Sequence, residues 1–276
     1  MMNHCIKDHP LFGQTLYADN GIVEVGIPLE YGIRIGHFSF VGEDNLFFEH
    51  PNDMDDFTTE EGWRHHGGHR LWIAPESEAD YYPDNDPVEY RIEGERIIIT
   101  QKEDPWLRVM KEIEITFEDS SIKVLHRVTN TADEPWKCGL WSISTLRAGG
   151  VEYIDLPLRD GGMDPWIRMG AWDYTSYGDE RIKYTREQVT ITHLPIDARL
   201  KIGFGHPISP VRYEVGGVVF LKHFTVDRSK VYPDTNFSYE AFFSKYMTEM
   251  ESLSPLGVIG KGESMTHTEV LELRRK

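Results

Sequence analysis

The feature that most constrains this chain is a repeat of two residues. In Gly21–Pro28, G-I-V-E-V-G-I-P, apolar side chains fall at every second place, the period of a strand with one buried face. Tyr31–Phe40, Y-G-I-R-I-G-H-F-S-F, repeats it, turning Ile33 and Ile35 one way and Arg34 with Gly36 the other. The same pattern marks Gln14–Ala18, Asn45–Glu49, Val88–Ile92, Arg96–Gln101, Arg108–Phe117, Ser121–Thr129 and Trp136–Leu146. It returns at Gln188–His193, Arg199–Phe204, Val211–Asp227, Phe237–Glu251 and Thr266–Arg274. Turn signals such as Glu93-Gly94 and Glu118-Asp119-Ser120 leave no room for parallel crossovers, so neighbours are expected to be antiparallel. No long amphipathic helix, repeat of 20–50 residues or low-complexity linker interrupts the pattern. The expectation is an all-β protein, one domain over residues 1–276, with sheets packed face to face.

Charge and cysteine content narrow the partners. With 46 acidic against 29 basic residues, the net charge of -17 repels phosphate and argues against nucleic acid or an anionic membrane. Two cysteines, Cys5 and Cys138, are too few for a disulfide framework or a thiolate zinc site. The start, M-M-N-H-C-I-K-D-H-P, lacks signal-peptide character, and no window approaches the roughly 18 apolar residues of a membrane span. These readings predict a soluble, cytoplasmic protein, and they leave its oligomeric state open.

One stretch departs from plain alternation. Trp63–Val88 opens W-R-H-H-G-G-H-R-L-W-I-A-P-E and continues to Y-Y-P-D-N-D-P-V, concentrating histidines, tryptophans, an arginine and acids. Gly67-Gly68 permits a sharp turn or close backbone approach where a side chain would clash. Failures of local rules of this kind tend to mark functional sites. Residues 51–62, with five acidic groups and no periodicity, read as a surface loop. A second long loop, Pro157–Arg186, is rich in glycine and aromatics; Trp166, Arg168, Trp172 and Tyr174 there are either rim contacts or its own packing.

Together these segments resemble the aldose 1-epimerase, or galactose mutarotase-like, superfamily. His66-Gly67-Gly68 is similar to the family's H-G-G turn, and Val128–Trp141, V-T-N-T-A-D-E-P-W-K-C-G-L-W, to its N-x-T strand, turn, proline and following strand. Met247–Pro255, M-T-E-M-E-S-L-S-P, resembles the late strand carrying the catalytic glutamate, and Gly257–Leu273 the closing strand. G-G-H-R-L-W-x-A-P-E followed by Y-Y-P-D-N-x-P-V resembles a bacterial subgroup. The likeness implies a large antiparallel β-supersandwich and a small-molecule carbohydrate as ligand, with no cofactor.

Anomer interconversion needs one group to take the C1 hydroxyl proton and another to protonate the ring oxygen, work suited to a carboxylate and an imidazole. The resemblance places Glu251 as base, with Glu249 as the alternative on the same strand face, and His66 at the family's first histidine. The second histidine's position falls on Trp141, which cannot transfer that proton. Either His66 or His69 acts as acid, or a sugar pocket persists without the chemistry and Trp141 serves as a stacking platform. Arg70, Trp72, Glu76, Arg34 and Lys222 are further candidate substrate contacts.

Each candidate also has a structural reading. Glu251 could be a solvated edge carboxylate; His66 and His69 could cap the glycine turn; Arg70 and Glu76 could pair with each other; Arg34 and Lys222 could sit on solvated strand faces. Asp84 and Asn85 could form an Asx-turn. A metal is not expected: His65, His66, His69 and Glu76 lack H-E-x-x-H spacing, and Asp84, Asn85 and Asp86 lack the rest of an EF-hand loop. Besides an isomerase, the residues allow a non-catalytic carbohydrate-recognition domain, or a hydrolase or lyase pairing Glu251 with Glu249 or Glu76.

Overall fold

The computed structural model describes residues 2–83, 85–159, 161–163 and 165–276. Its strands form three antiparallel sheets of four, ten and eight strands. The four-stranded sheet runs Asn3–His9, Gly13–Asp19, Val23–Pro28 and His37–Phe40. The eight-stranded sheet carries, in spatial order, Met169–Ala171, Leu200–Phe204, Tyr239–Phe243, Met247–Leu253, Trp136–Arg147, Gly68–Ala74 and Arg34–Ile35, with Gly257–Ile259 also paired to Trp136–Arg147. The centre of the ten-stranded sheet is Val218–Phe224, Ser264–Arg275, Ser121–Asn130 and Val109–Glu118. Among the described residues no helix is long and apolar enough to cross a membrane.

The two large sheets share a core. Ile113, Ile115, Ile122 and Val124 from one, and Leu200, Ile202, Tyr239, Ala241, Phe243 and Met250 from the other, belong to a single buried apolar cluster. Alternation turns these residues inward; burying each large aliphatic or aromatic side chain contributes about 1.5–3 kcal/mol. On the eight-stranded sheet the opposite set of side chains is buried as well, as in Met247–Leu253, where all seven residues are. Something therefore covers that second face, and the loops 51–66 and 172–175 supply it.

Several strands expected as single runs are hairpins. Val211–Asp227 divides at Gly216-Gly217 into Ile208–Val215 and Val218–Phe224, and Phe237–Glu251 divides into Tyr239–Phe243 and Met247–Leu253. Periodicity alone does not see such turns when both arms are apolar. Asn45–Glu49 makes only isolated bridges, while Asn3–His9 and Val151–Asp155 are additional strands.

The glycine turn enters the eight-stranded sheet through three left-handed residues, His66, Gly67 and Gly68, with φ of 55°, 85° and 79°. A Cβ on Gly67 would lie 1.9 Å from the Phe48 carbonyl oxygen, and one on Gly68 2.4 Å from that of Ile35. Only glycine fits either place.

Candidate functional site

A cavity of about 370 Å³ opens on the second face of the eight-stranded sheet, a volume within the range of small-molecule sites. Strand parity decides what lines it. Arg70 and Trp72 from Gly68–Ala74, Trp141 and Ile143 from Trp136–Arg147, Glu249 from Met247–Leu253, Phe242 and Lys201 all project there. The loops add Phe57, Trp63, His65, Trp172 and Tyr174. Trp72 meets Trp63, Tyr81 and Trp141 with ring centroids 5.7, 5.1 and 5.6 Å apart, which builds a continuous aromatic wall.

Two glutamates two residues apart on one strand stand in opposite electrostatic settings. Burial alone would raise Glu249, but the Arg70 guanidinium, with Nη2 at 3.2 Å, and His65, with Nε2 at 2.8 Å, overcome it and hold the carboxyl at about 2. Glu251 is fully buried, and burial pushes it up to about 7 against the pull of the Lys201 ammonium. Its Oε2 accepts from Trp141 Nε1 at 2.8 Å and from Lys201 Nζ at 3.0 Å. Its Oε1 has no hydrogen-bond partner among the described residues.

Lys201 joins these parts. Its Nζ also lies 2.9 Å from Glu240 Oε2, 4.4 Å from the Trp141 ring centroid and 4.8 Å from that of Trp172. Glu240 stands opposite Glu251 across the strand pair, and burial raises it to about 8. A carboxylate, a carboxylic acid and an ammonium thus coexist near neutral pH, the kind of setting used for proton transfer.

His65 is held by the turn. The Gly67 N–H donates to its Nδ1 at 3.0 Å, which puts the ring proton on Nε2, facing Glu249 Oε1. In that tautomer the 2.7 Å approach of Arg70 Nη1 to Nε2 is not a hydrogen bond, and Glu249 anchors the guanidinium instead. Burial lowers His65 to about 4, so the ring is neutral at pH 7.

The residues singled out from sequence separate into two groups. Arg70, Trp72, Glu76, Trp141 and Glu249 line the cavity, whereas Glu251 does not and lies fully buried behind Trp141 and Lys201, which do. His66 does not reach it: its Nε2 meets Asn85 Oδ1 at 3.2 Å and its ring packs on Tyr31. His69, adjacent to Arg70, points through the sheet into the core, where Nδ1 meets Ser144 Oγ at 2.9 Å. Neither imidazole is placed to act on a ligand in this cavity.

Arg34 is neither solvated nor a cavity residue. It is 1% exposed, and its Nη1 donates to the carbonyls of His65 and Gly67 at 3.0 and 3.2 Å, bracing the turn. Lys222 is fully buried between the sheets, bonded to Glu269 Oε1 at 3.0 Å. Arg70 pairs with Glu249 rather than Glu76, whose Oε1 instead accepts from Tyr81 OH. From the second long loop Trp172 and Tyr174 reach the cavity, whereas Arg168 binds the Thr235 carbonyl and Trp166 lies against Arg159 and Arg228. Asp84 lies outside the described residues.

Lys201 and Glu240 were not anticipated from sequence. The available signal was a charge inside L-K-I-G-F and another inside Y-E-A-F-F, both in runs too apolar to have a solvated face. Such charges are buried and therefore paired.

No family model and no curated protein matches the sequence. Solved structures do match in shape. A galactose mutarotase-like protein from Lactobacillus casei superposes with a TM-score of 0.64 at 10% identity, over 94% of this chain and all of that one. Slr1438 from Synechocystis gives 0.61 at 10% identity, over 100% and 96% of the two chains. A galactose mutarotase-like protein from Clostridium acetobutylicum gives 0.56 at 10% identity, over 100% and 99%. With its antiparallel sheets and this coverage, the chain has the galactose mutarotase-like β-sandwich fold.

Proposed function

We propose that the cavity binds a small carbohydrate and that Glu251 catalyses interconversion of its anomers. The observation that carries this reading is the Glu249 and Glu251 pair, held at about 2 and about 7 beside an aromatic wall. The apolar C–H face of a pyranose suits the tryptophans, and its hydroxyls suit the ionised Glu249 and Arg70. Glu251 takes the proton of the C1 hydroxyl as the bond between C1 and the ring oxygen breaks. The ring oxygen receives a proton from the Glu240 and Glu251 carboxyls, which retain one between them near neutrality. Reversal on either face of the aldehyde closes the other anomer. His65, neutral at pH 7, holds Glu249 in place and is not the proton source.

Polarimetry of freshly dissolved aldoses tests this. The protein accelerates mutarotation of at least one sugar, and Glu251→Gln abolishes the acceleration while leaving sugar binding detectable by calorimetry. No acceleration over buffer with a broad panel, or an unchanged rate in Glu251→Gln, refutes catalysis. The burial of Glu251 behind Lys201 favours a second reading, a non-catalytic carbohydrate-recognition domain, which calorimetric binding without turnover would support. Absence of any sugar binding refutes both.

A further inference from the structure

Behind the cavity, on the inner face of the same sheet, the apolar core is interrupted. Inward residues along Ser121–Asn130 run Ile122, Val124, His126, Val128, and along Ser264–Arg275 they run His267, Glu269, Leu271, Leu273. The facing sheet contributes His69, Ser142 and Ser144, all fully buried. His69 Nε2 lies 3.0 Å from His126 Nε2 and 3.6 Å from Glu269 Oε2, and His126 Nε2 lies 3.3 Å from the same oxygen. Ser142 Oγ stands 3.4 and 3.2 Å from the two ring nitrogens and bonds Glu269 Oε2.

We infer that His69, His126 and Glu269 form a structural zinc site joining the two sheets, with Ser142 Oγ available for the fourth position once it turns off Glu269 Oε2. The circle through three points with these separations has a radius of about 1.9 Å, so an ion less than about 1 Å from their plane lies about 2.1 Å from each, the ordinary zinc to nitrogen or oxygen distance. The two ring nitrogens and the carboxylate oxygen can share protons only pair by pair, as the Ser142 hydroxyl does with Glu269 Oε2. One proton serves one pair, whereas an ion serves all three. Two imidazoles and a carboxylate without thiolates suit zinc or iron(II), and a closed, dry site without open positions favours zinc.

The surroundings orient two of the three ligands, while His126 Nδ1 has no hydrogen-bond partner among the described residues. Ser144 Oγ lies 2.9 Å from His69 Nδ1 and accepts its N–H when Nε2 ligates, and Lys222 Nζ takes Glu269 Oε1, which leaves Oε2 facing the imidazoles. The site is sealed from the carbohydrate cavity by the sheet itself, since Trp141 and Ser142, and likewise Arg70 and His69, are neighbours facing opposite ways. It supplies a cross-link between sheets and no chemistry, and binding there adds to folding stability.

The test uses the intact chain expressed in medium containing zinc sulfate, desalted and analysed by mass spectrometry for metals. The expected result is close to one zinc ion per chain, a Tm that falls on chelation and recovers with added zinc, and loss of that zinc in folded His126→Gln. Metal-free protein whose Tm ignores zinc overturns the inference, since a proton shared between His69 and His126 then suffices. Zinc retained by folded His126→Gln also overturns it, because the ion then lies elsewhere. Should the variant fail to fold, cobalt substitution of the wild type decides: intense visible bands of four-coordinate cobalt support the site, and weak six-coordinate bands refute it.

Discussion

Glu152 offers a direct measure of how dry the space between the sheets is. It is fully buried on Val151–Asp155; Tyr239 OH donates to its Oε1 at 2.6 Å, and its Oε2 has no partner among the described residues. Burial pushes the carboxyl from 4.5 to about 8. For an acid raised on folding, the native state binds more protons than the unfolded chain from pH 4.5 upward. Its contribution is therefore fully present below pH 4.5 and is lost as pH rises to about 8, at up to about 1.4 kcal/mol per pH unit and about 5 kcal/mol in total. Glu152→Gln removes this dependence. The amide still accepts from Tyr239, but its NH2 replaces the unpartnered Oε2 at a cost of about 1–3 kcal/mol. The variant is thus the less stable protein at pH 5 and the more stable one at pH 8, with the two profiles crossing between about pH 5 and 7. Urea midpoints at constant m, measured at half-unit intervals, check this. A constant offset between wild type and variant from pH 5 to 8 refutes the assignment of a neutral buried acid.

Arg70→Met strips buried Glu249 of its guanidinium and leaves it His65 and the Thr145 hydroxyl, and the expected loss is about 3–5 kcal/mol at pH 7, read by urea denaturation. That loss shrinks toward pH 4 as the stranded carboxyl protonates; a loss independent of pH argues against an ionised Glu249. Gly67→Ala forces a Cβ against the Phe48 carbonyl at positive φ and costs at least about 2 kcal/mol. If Gly67→Ala matches the wild-type urea midpoint, the turn is not built as described. Under the proposed chemistry, the mutarotation rate rises with pH through about 7 as Glu251 ionises, and a profile flat from pH 5 to 8 excludes Glu251 as base.

Much of the architecture was legible in the chain because strand periodicity is local. Ile113 and Ile115, or Leu200 and Ile202, announce an inward face by spacing alone, and short turns enforce antiparallel neighbours. The need for glycine at 67 and 68 was equally readable, since only it takes left-handed backbone against a carbonyl. Alternation does not say which face meets which partner. The turn at His66–Gly68 resets parity, so the imidazole that reaches the cavity is His65, while His66 turns to Tyr31 and His69 to the core. Lys201, Glu240 and Glu251 come from three strands, and their meeting depends on cross-strand register set by pairing far apart in sequence. The sequence alone determined strands, antiparallel order and the glycine turn, because each follows from neighbours along the chain. Only the tertiary structure decided which charges are buried together, because their pairing energy exists only once packing has removed water from between the strands.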